Sequence, residues 1–165
     1  MNLARITRHI LMPHWQVRRA FPPNSLAAIE KAIHASEGAH VGQIRFAVEA
    51  ALHGRSLYEG LLPRDRAIEV FSLLRMWDTE YRNGVLIYLL LADRDVEIVV
   101  DRAVHTKVGT PQWEAICHKM EARFRAGQFE AGVVQGVQAV TEHLTRHFPT
   151  SEHRARALPE RVAVL

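Results

Sequence analysis

The side chains with most chemistry to offer gather around one stretch, RNGVLIYLLLADRDVEIVVDR, which runs from Arg82 to Arg102. Asp78 and Glu80 precede it, Asn83 opens it, Asp101 closes it, and Asp93 and Asp95 lie in its middle. The apolar runs on either side of Ala92-Asp93-Arg94-Asp95 read as two strands joined by a turn too short for anything but an antiparallel hairpin. With Ala92 opposite Asp95, Asp101 falls opposite Leu86, at the same end as Asn83. Asp93 and Asp95 then sit at the far tip as turn residues. Three carboxylates and an amide oxygen are the hard ligands that Ca²⁺ or Mg²⁺ takes, so Asp78, Glu80, Asn83 and Asp101 form the candidate metal set. Arg82 and Arg102 flank the same group and offer the competing outcome, arginine–carboxylate pairing without metal.

Other routes to chemistry are thin. The sequence has no Gly-rich phosphate loop, no Gly-x-Ser-x-Gly elbow and no Cys-x-x-Cys, and no catalytic nucleophile declares itself. Cys117, the single cysteine, lies in a helical apolar stripe and reads as a buried thiol. His143 and His147 share a helix face, but no glutamate follows the first as a zinc-protease helix requires.

The elements that must position these residues follow from periodicity. Leu3, Ile6 and Ile10 recur at helical spacing among arginines and predict a short amphipathic segment that Pro13 interrupts. Pro22-Pro23-Asn24-Ser25 is a breaker and cap that opens the core, and Leu26, Ile29 and Ile33 stripe a helix running to about Glu37. Ile44, Phe46 and Val48 alternate as a first strand, and a polar loop spans Gly54 to Gly60. Pro63 starts a second helix carrying Ala67, Val70 and Phe71. Val85 to Leu91 is apolar on both faces, the mark of a central strand covered by helices on both sides. The strand from Ile44 reaches it through a helical crossover and is expected to lie parallel to it. Thr110-Pro111 starts a helix to Gly127, and a last helix from about Gln128 to Phe148 places Gly132 and Gly136 on one side for close packing. The fold class is therefore α/β, a mixed sheet with a central hairpin between helical layers. Residues 1–21 are a basic arm, 22–149 the domain and 150–165 a tail.

Composition limits the function. At 165 residues with 48% hydrophobic and 24% charged residues, the chain suits one globular domain. Its longest apolar run, Val85 to Ala92, is far short of the roughly 20 residues that span a bilayer. The N-terminal segment gathers no unbroken apolar stretch, so no secretory signal and a cytoplasmic location are expected. The net charge of +3 is uneven. Residues 1–25 hold four arginines and no acid, whereas residues 26–145 hold 13 basic against 16 acidic residues. Positive charge confined to the ends, without aromatics interleaved on a folded face, argues against nucleic-acid binding. A basic amphipathic arm instead suits its own domain, an anionic membrane or a partner.

The runs IHASEGAHVGQIRFAVEAAL and WDTEYRNGVLIYLLLADRDVEIVVDRAV, followed by W-x-x-I-C and FRAGQFEAG, resemble the TPM domain family, and in particular its short bacterial branch. The resemblance covers roughly residues 20–150, and Asn83-Gly84-Val85-Leu86 with the Asp93-Arg94 turn is its most specific part. It implies an α/β sandwich. The members it brings in include a thylakoid-lumen protein of photosystem repair with acid phosphatase activity, metal-binding bacterial proteins and a membrane-tethered receptor accessory. It also implies a LemA-type membrane protein as a partner class and an envelope-related role. This chain departs from the family pattern at Gln43, where relatives carry an acid, and at Arg102-Ala103 after the hairpin. Asp78, Asn83 and Asp101 still match.

Three functions follow as expectations. The first is an interaction or accessory module, peripheral to a membrane, whose basic N-terminal arm meets a membrane-associated partner. The second is a divalent-metal-dependent phosphatase of small phosphomonoesters, with metal on Asp78 and Asp101 activating water. The third is structural Ca²⁺ binding without catalysis. No organic cofactor is implied by any of them.

Overall fold

The computed structural model describes residues 3–150 and 162–165 of the chain. Among the described residues, four strands form one sheet: β1 (Gln43–Glu49), β2 (Gly84–Leu90), β3 (Asp95–Val100) and β4 (Val162–Val164), in the spatial order β3-β2-β1-β4. β1 and β2 are parallel, β2 and β3 antiparallel, and β4 runs parallel to β1. The sheet is mixed, as the crossover and the short turn require.

Among the described residues, eight helices surround it: α1 (Leu3–Ile10), α2 (Trp15–Ala20), α3 (Pro23–Ser36), α4 (Gly54–Tyr58), α5 (Pro63–Leu73), α6 (Arg102–Val108), α7 (Thr110–Arg125) and α8 (Phe129–His147). Strand alternation divides the core in two. Phe46, Val48, Val85, Ile87, Leu89, Val96 and Ile98 face one layer, where Ile29 and Ile33 of α3, Met120 and Phe124 of α7 and Val137 and Leu144 of α8 pack on them. Ala47, Leu86, Tyr88, Leu90 and Val99 face the other, against Leu57 of α4 and Ala67, Val70 and Phe71 of α5. All seven residues of β2 are buried, because only a strand covered on both faces tolerates such an apolar run.

The glycines of α8 serve the packing their spacing suggested. A Cβ on Gly136 would lie 2.3 Å from the Met120 sulfur, and one on Gly132 would lie 2.6 Å from a Phe124 ring carbon. Their missing side chains are what let α7 rest on α8.

Four features depart from the sequence reading. Leu90, not Ala92, pairs with Asp95, so Asp101 lies beside Gly84 and its N–H donates to the Gly84 carbonyl at 2.9 Å. The slip is two residues, an even number, so every side chain keeps its face. The loop from Gly54 to Gly60 contains the helical turn α4. Residues 102–108, to which the spacing assigned no element, form α6, capped by Asp101. Finally, Val162–Val164 of the expected tail form a strand against β1; residues 151–161 lie outside the described residues.

Candidate functional site

The expected metal set lies at the end of the sheet where β2 begins. Asn83 and Asp101 meet there across Gly84, and both are tied into the backbone. The Asn83 side-chain amide donates to the Val41 carbonyl at 3.0 Å, and its backbone N–H donates to the Thr79 hydroxyl at 3.0 Å. Asp101 Oδ1 accepts from the Arg102 N–H at 2.6 Å as the N-cap of α6. Its Oδ2 is buried without a hydrogen-bond partner. Asp78 and Glu80 are exposed on the loop, on either side of the buried Thr79. Among the described residues, no group of three or more His, Cys, Asp or Glu side chains is placed to hold a metal ion. One orphan carboxylate oxygen and one amide oxygen fall short of the six to eight oxygens of a Ca²⁺ shell. The arrangement does not fit a metal, and no reaction step is built on one. Arginine does not neutralise these acids either, since Arg82 and Arg102 make no side-chain ion pair among the described residues.

The opposite end, where β1 and β2 finish, holds denser polar chemistry. In the hairpin turn Asp93 receives α1. Arg5 Nε and its Nη2 donate to the Asp93 carboxylate at 2.9 and 2.8 Å, and Nη2 also donates to the Leu61 carbonyl at 2.8 Å. Arg8 adds a more exposed contact at 3.3 Å. His9 is fully buried, and its Nδ1 accepts from the Leu52 N–H at 2.9 Å, which puts the ring proton on Nε2. That Nε2 lies 3.0 Å from Asp93 Oδ1, but off the direction of a hydrogen bond, so the contact is electrostatic. Burial alone would raise the Asp93 pKa; Arg5 and then His9 outweigh it and hold the carboxyl below its ordinary value.

Across β1, Glu49 accepts from the Tyr88 hydroxyl at 2.7 Å and from Arg66 at 2.9 and 3.1 Å. Burial, then Glu49, raises the Tyr88 pKa, so the phenol remains a donor. This trio is closed and ties α5 to the sheet.

Asp95, at the start of β3, lacks such partners. Its Oδ1 is buried without a hydrogen bond, and burial, with Glu97, Glu121 and Asp93 adding to it and Arg5 opposing, pushes its pKa up to about 6. A folded-state value above the unfolded one means that Asp95 contributes stability below about pH 4, and that this is lost as pH rises through about 6. Asp95→Asn should therefore stabilise the protein at pH 7.5 by on the order of 1–2 kcal/mol, a figure discounted for the partial exposure of the site. It should leave the melting temperature at pH 4 unchanged. Thermal melts of both proteins at the two pH values check this.

Cys117 is buried, and its thiol is pushed up to about 12, chiefly by burial, so it stays protonated. His143 stacks edge-on against Trp113, with ring centroids 5.4 Å apart.

These observations define the class first: a mixed four-stranded sheet between two helical layers, with its N-terminal helix locked onto a hairpin tip. The TPM domain family matches residues 18–143, and the chain belongs to that family. Its structure is similar to that of the BA42 protein from the psychrophilic bacterium Bizionia argentinensis, with a TM-score of 0.73 and 27% identity over 86% of this chain and 93% of that one. It also shares its fold with the N-terminal domain of a protein from P. gingivalis, with a TM-score of 0.60 and 19% identity over 87% and 92% of the two chains. No curated protein matches it. No described helix is long and apolar enough to cross a membrane.

Proposed function

We propose that this domain is an accessory module that rests on an anionic membrane surface through the elbow between α1 and α2. The observation that carries the reading is the composition of that elbow. Leu3, Ile10, Leu11 and Trp15 are 69%, 62%, 71% and 57% exposed, and exposed Arg18 and Arg19 follow directly. Large apolar side chains beside arginines, with no acid among residues 1–25, match what an interfacial segment needs: apolar insertion plus attraction to anionic headgroups. Asp93 supports the reading as well. It takes the inward-facing Arg5 and His9, so docking would begin from an ordered segment without ordering a free arm. The body of the domain is then left to meet a membrane-associated protein, and the LemA-type class implied by the family resemblance is the partner to test. Phosphomonoester hydrolysis and structural Ca²⁺ binding would both need Asp78 and Glu80 brought to Asp101, and no observation on the described residues favours either.

Deleting the arm would confound the test, because Arg5, His9 and Val17 belong to the folded structure. Point changes avoid this. The chain should sediment with phosphatidylglycerol-containing vesicles and not with pure phosphatidylcholine, and Leu11→Ser with Trp15→Ser should weaken that association by about tenfold or more. Equal sedimentation of wild type and double variant would overturn the proposal.

A further inference from the structure

Next to the elbow, on the α3–α7–α8 face, a cavity of about 570 Å³ opens where β2 ends. Its floor is apolar: Leu89 of β2 and Leu91 just after it, Phe124 from α7 and Phe129 from α8, whose two rings stack with centroids 5.4 Å apart. Arg19 of α2, Arg94 of the hairpin turn and Arg125 of α7 also line it, and no carboxylate does. Arg19 and Arg94 make no ion pair or side-chain hydrogen bond among the described residues; Arg125 has one exposed contact, 3.3 Å to Glu121. Met12 and Gln16, on the same wall, belong to the elbow itself. The hairpin turn thus divides its charges, with Asp93 spent on α1 and the neighbouring Arg94 directed to the cavity.

Apolar walls with a few polar groups at this volume fit a small-molecule pocket. Three guanidinium groups from three elements, with only Arg125 sharing an exposed contact with an acid, select an anion that can take several N–H donors at once, which a phosphate does well. The aromatic and leucine floor asks for hydrocarbon. We infer that this cavity binds one molecule of an anionic phospholipid, with its phosphate on Arg19, Arg94 and Arg125 and acyl carbons over Leu89, Leu91, Phe124 and Phe129. The membrane reading above supplies the source of the lipid, because the elbow that would meet the bilayer also forms one wall of the pocket. The pocket itself does not depend on that reading.

The test uses the full chain and a lipid that stays monomeric, dihexanoyl phosphatidic acid below its micellar concentration, in calorimetric titrations. Arg94 holds a left-handed backbone, φ 54°, a conformation that asparagine tolerates well. Arg94→Asn therefore removes the charge without risk to the turn, and Arg125→Gln removes only an exposed contact. Each change should weaken binding about tenfold, the effect expected for losing a charge-assisted contact. Dihexanoyl phosphatidylcholine and inorganic phosphate should bind at least about tenfold more weakly than the phosphatidic acid, lacking the exposed anion or the hydrocarbon respectively. Equal binding of inorganic phosphate would show a bare anion site, equal binding of the choline lipid would show apolar binding alone, and no heat with the acid would exclude the pocket; each overturns the inference. Leu11 and Trp15 neighbour Met12 and Gln16 but do not themselves line the cavity, so Leu11→Ser with Trp15→Ser should leave monomer binding within roughly twofold of wild type. Vesicle association lost with monomer binding intact thus reports on the elbow. Monomer binding lost with vesicle association intact reports on the pocket.

Discussion

Gly84→Ala should destabilise the domain by about 3 kcal/mol or more and lower its melting temperature by roughly 6–12 °C. A Cβ built on Gly84 would lie 2.2 Å from the Met76 carbonyl oxygen, and that oxygen is backbone, unable to swing aside like the end of a side chain. Met76 is fully buried, and Gly84 accepts the Asp101 N–H, so neither partner can retreat without unpairing the start of β2 or moving the end of the preceding segment. The glycine is needed here for closeness of approach and not for backbone freedom. The check is thermal or chemical unfolding of the variant beside wild type. A loss under about 1 kcal/mol would show that the 77–83 loop yields cheaply.

Asp93→Ala should cost about 2–3 kcal/mol, because it leaves the fully buried His9 ring facing no anion and removes the carboxylate shared by Arg5 and Arg8. The effect should be local first. Amide exchange in residues 3–10 should speed up well before that in β2, since Arg5 would lose its bonds to the Asp93 carboxylate. The pH dependence has a definite sign. The Asp93 carboxyl is held below its ordinary value, so its contribution is fully present above the unfolded value of about 3.9 and is lost as pH falls through the lower folded-state one. α1 should therefore stay locked at neutral and mildly acidic pH and loosen only below about pH 4, and Asp93→Ala should abolish that acid transition. Exchange measured at pH 7 and pH 3 tests both statements.

Asp101 shows how far residue types alone can lead. As a carboxylate at the end of a strand it reads as a metal ligand. In three dimensions one of its oxygens caps α6, and the following Val104 and Val108 are buried one helical turn apart. The signal for that helix was in the sequence, an Asp before apolar residues spaced by four with Gly109 after them. The run is only seven residues, too short for periodicity to stand out against a loop.

The sequence by itself determined the layered α/β class, the parallel relation of β1 to β2 and the antiparallel one of β2 to β3, the alternation along β1 and β3 and the close packing through Gly132 and Gly136. These follow from local periodicity and from connection length, which neighbouring residues carry. Only the tertiary structure decided the hairpin register, the pairing of Val162–Val164 with β1 and the partner of the N-terminal arm. Arg5 and Asp93 are 88 residues apart, and nothing in the period or charge of either segment says which acid an arginine will meet. The same is true of the cavity. Leu89, Phe124 and Phe129 read as core, and Arg19, Arg94 and Arg125 as surface. It takes the packing of α2, the hairpin turn and the α7–α8 junction around one strand end to make of them a single pocket with an apolar floor and a cationic rim.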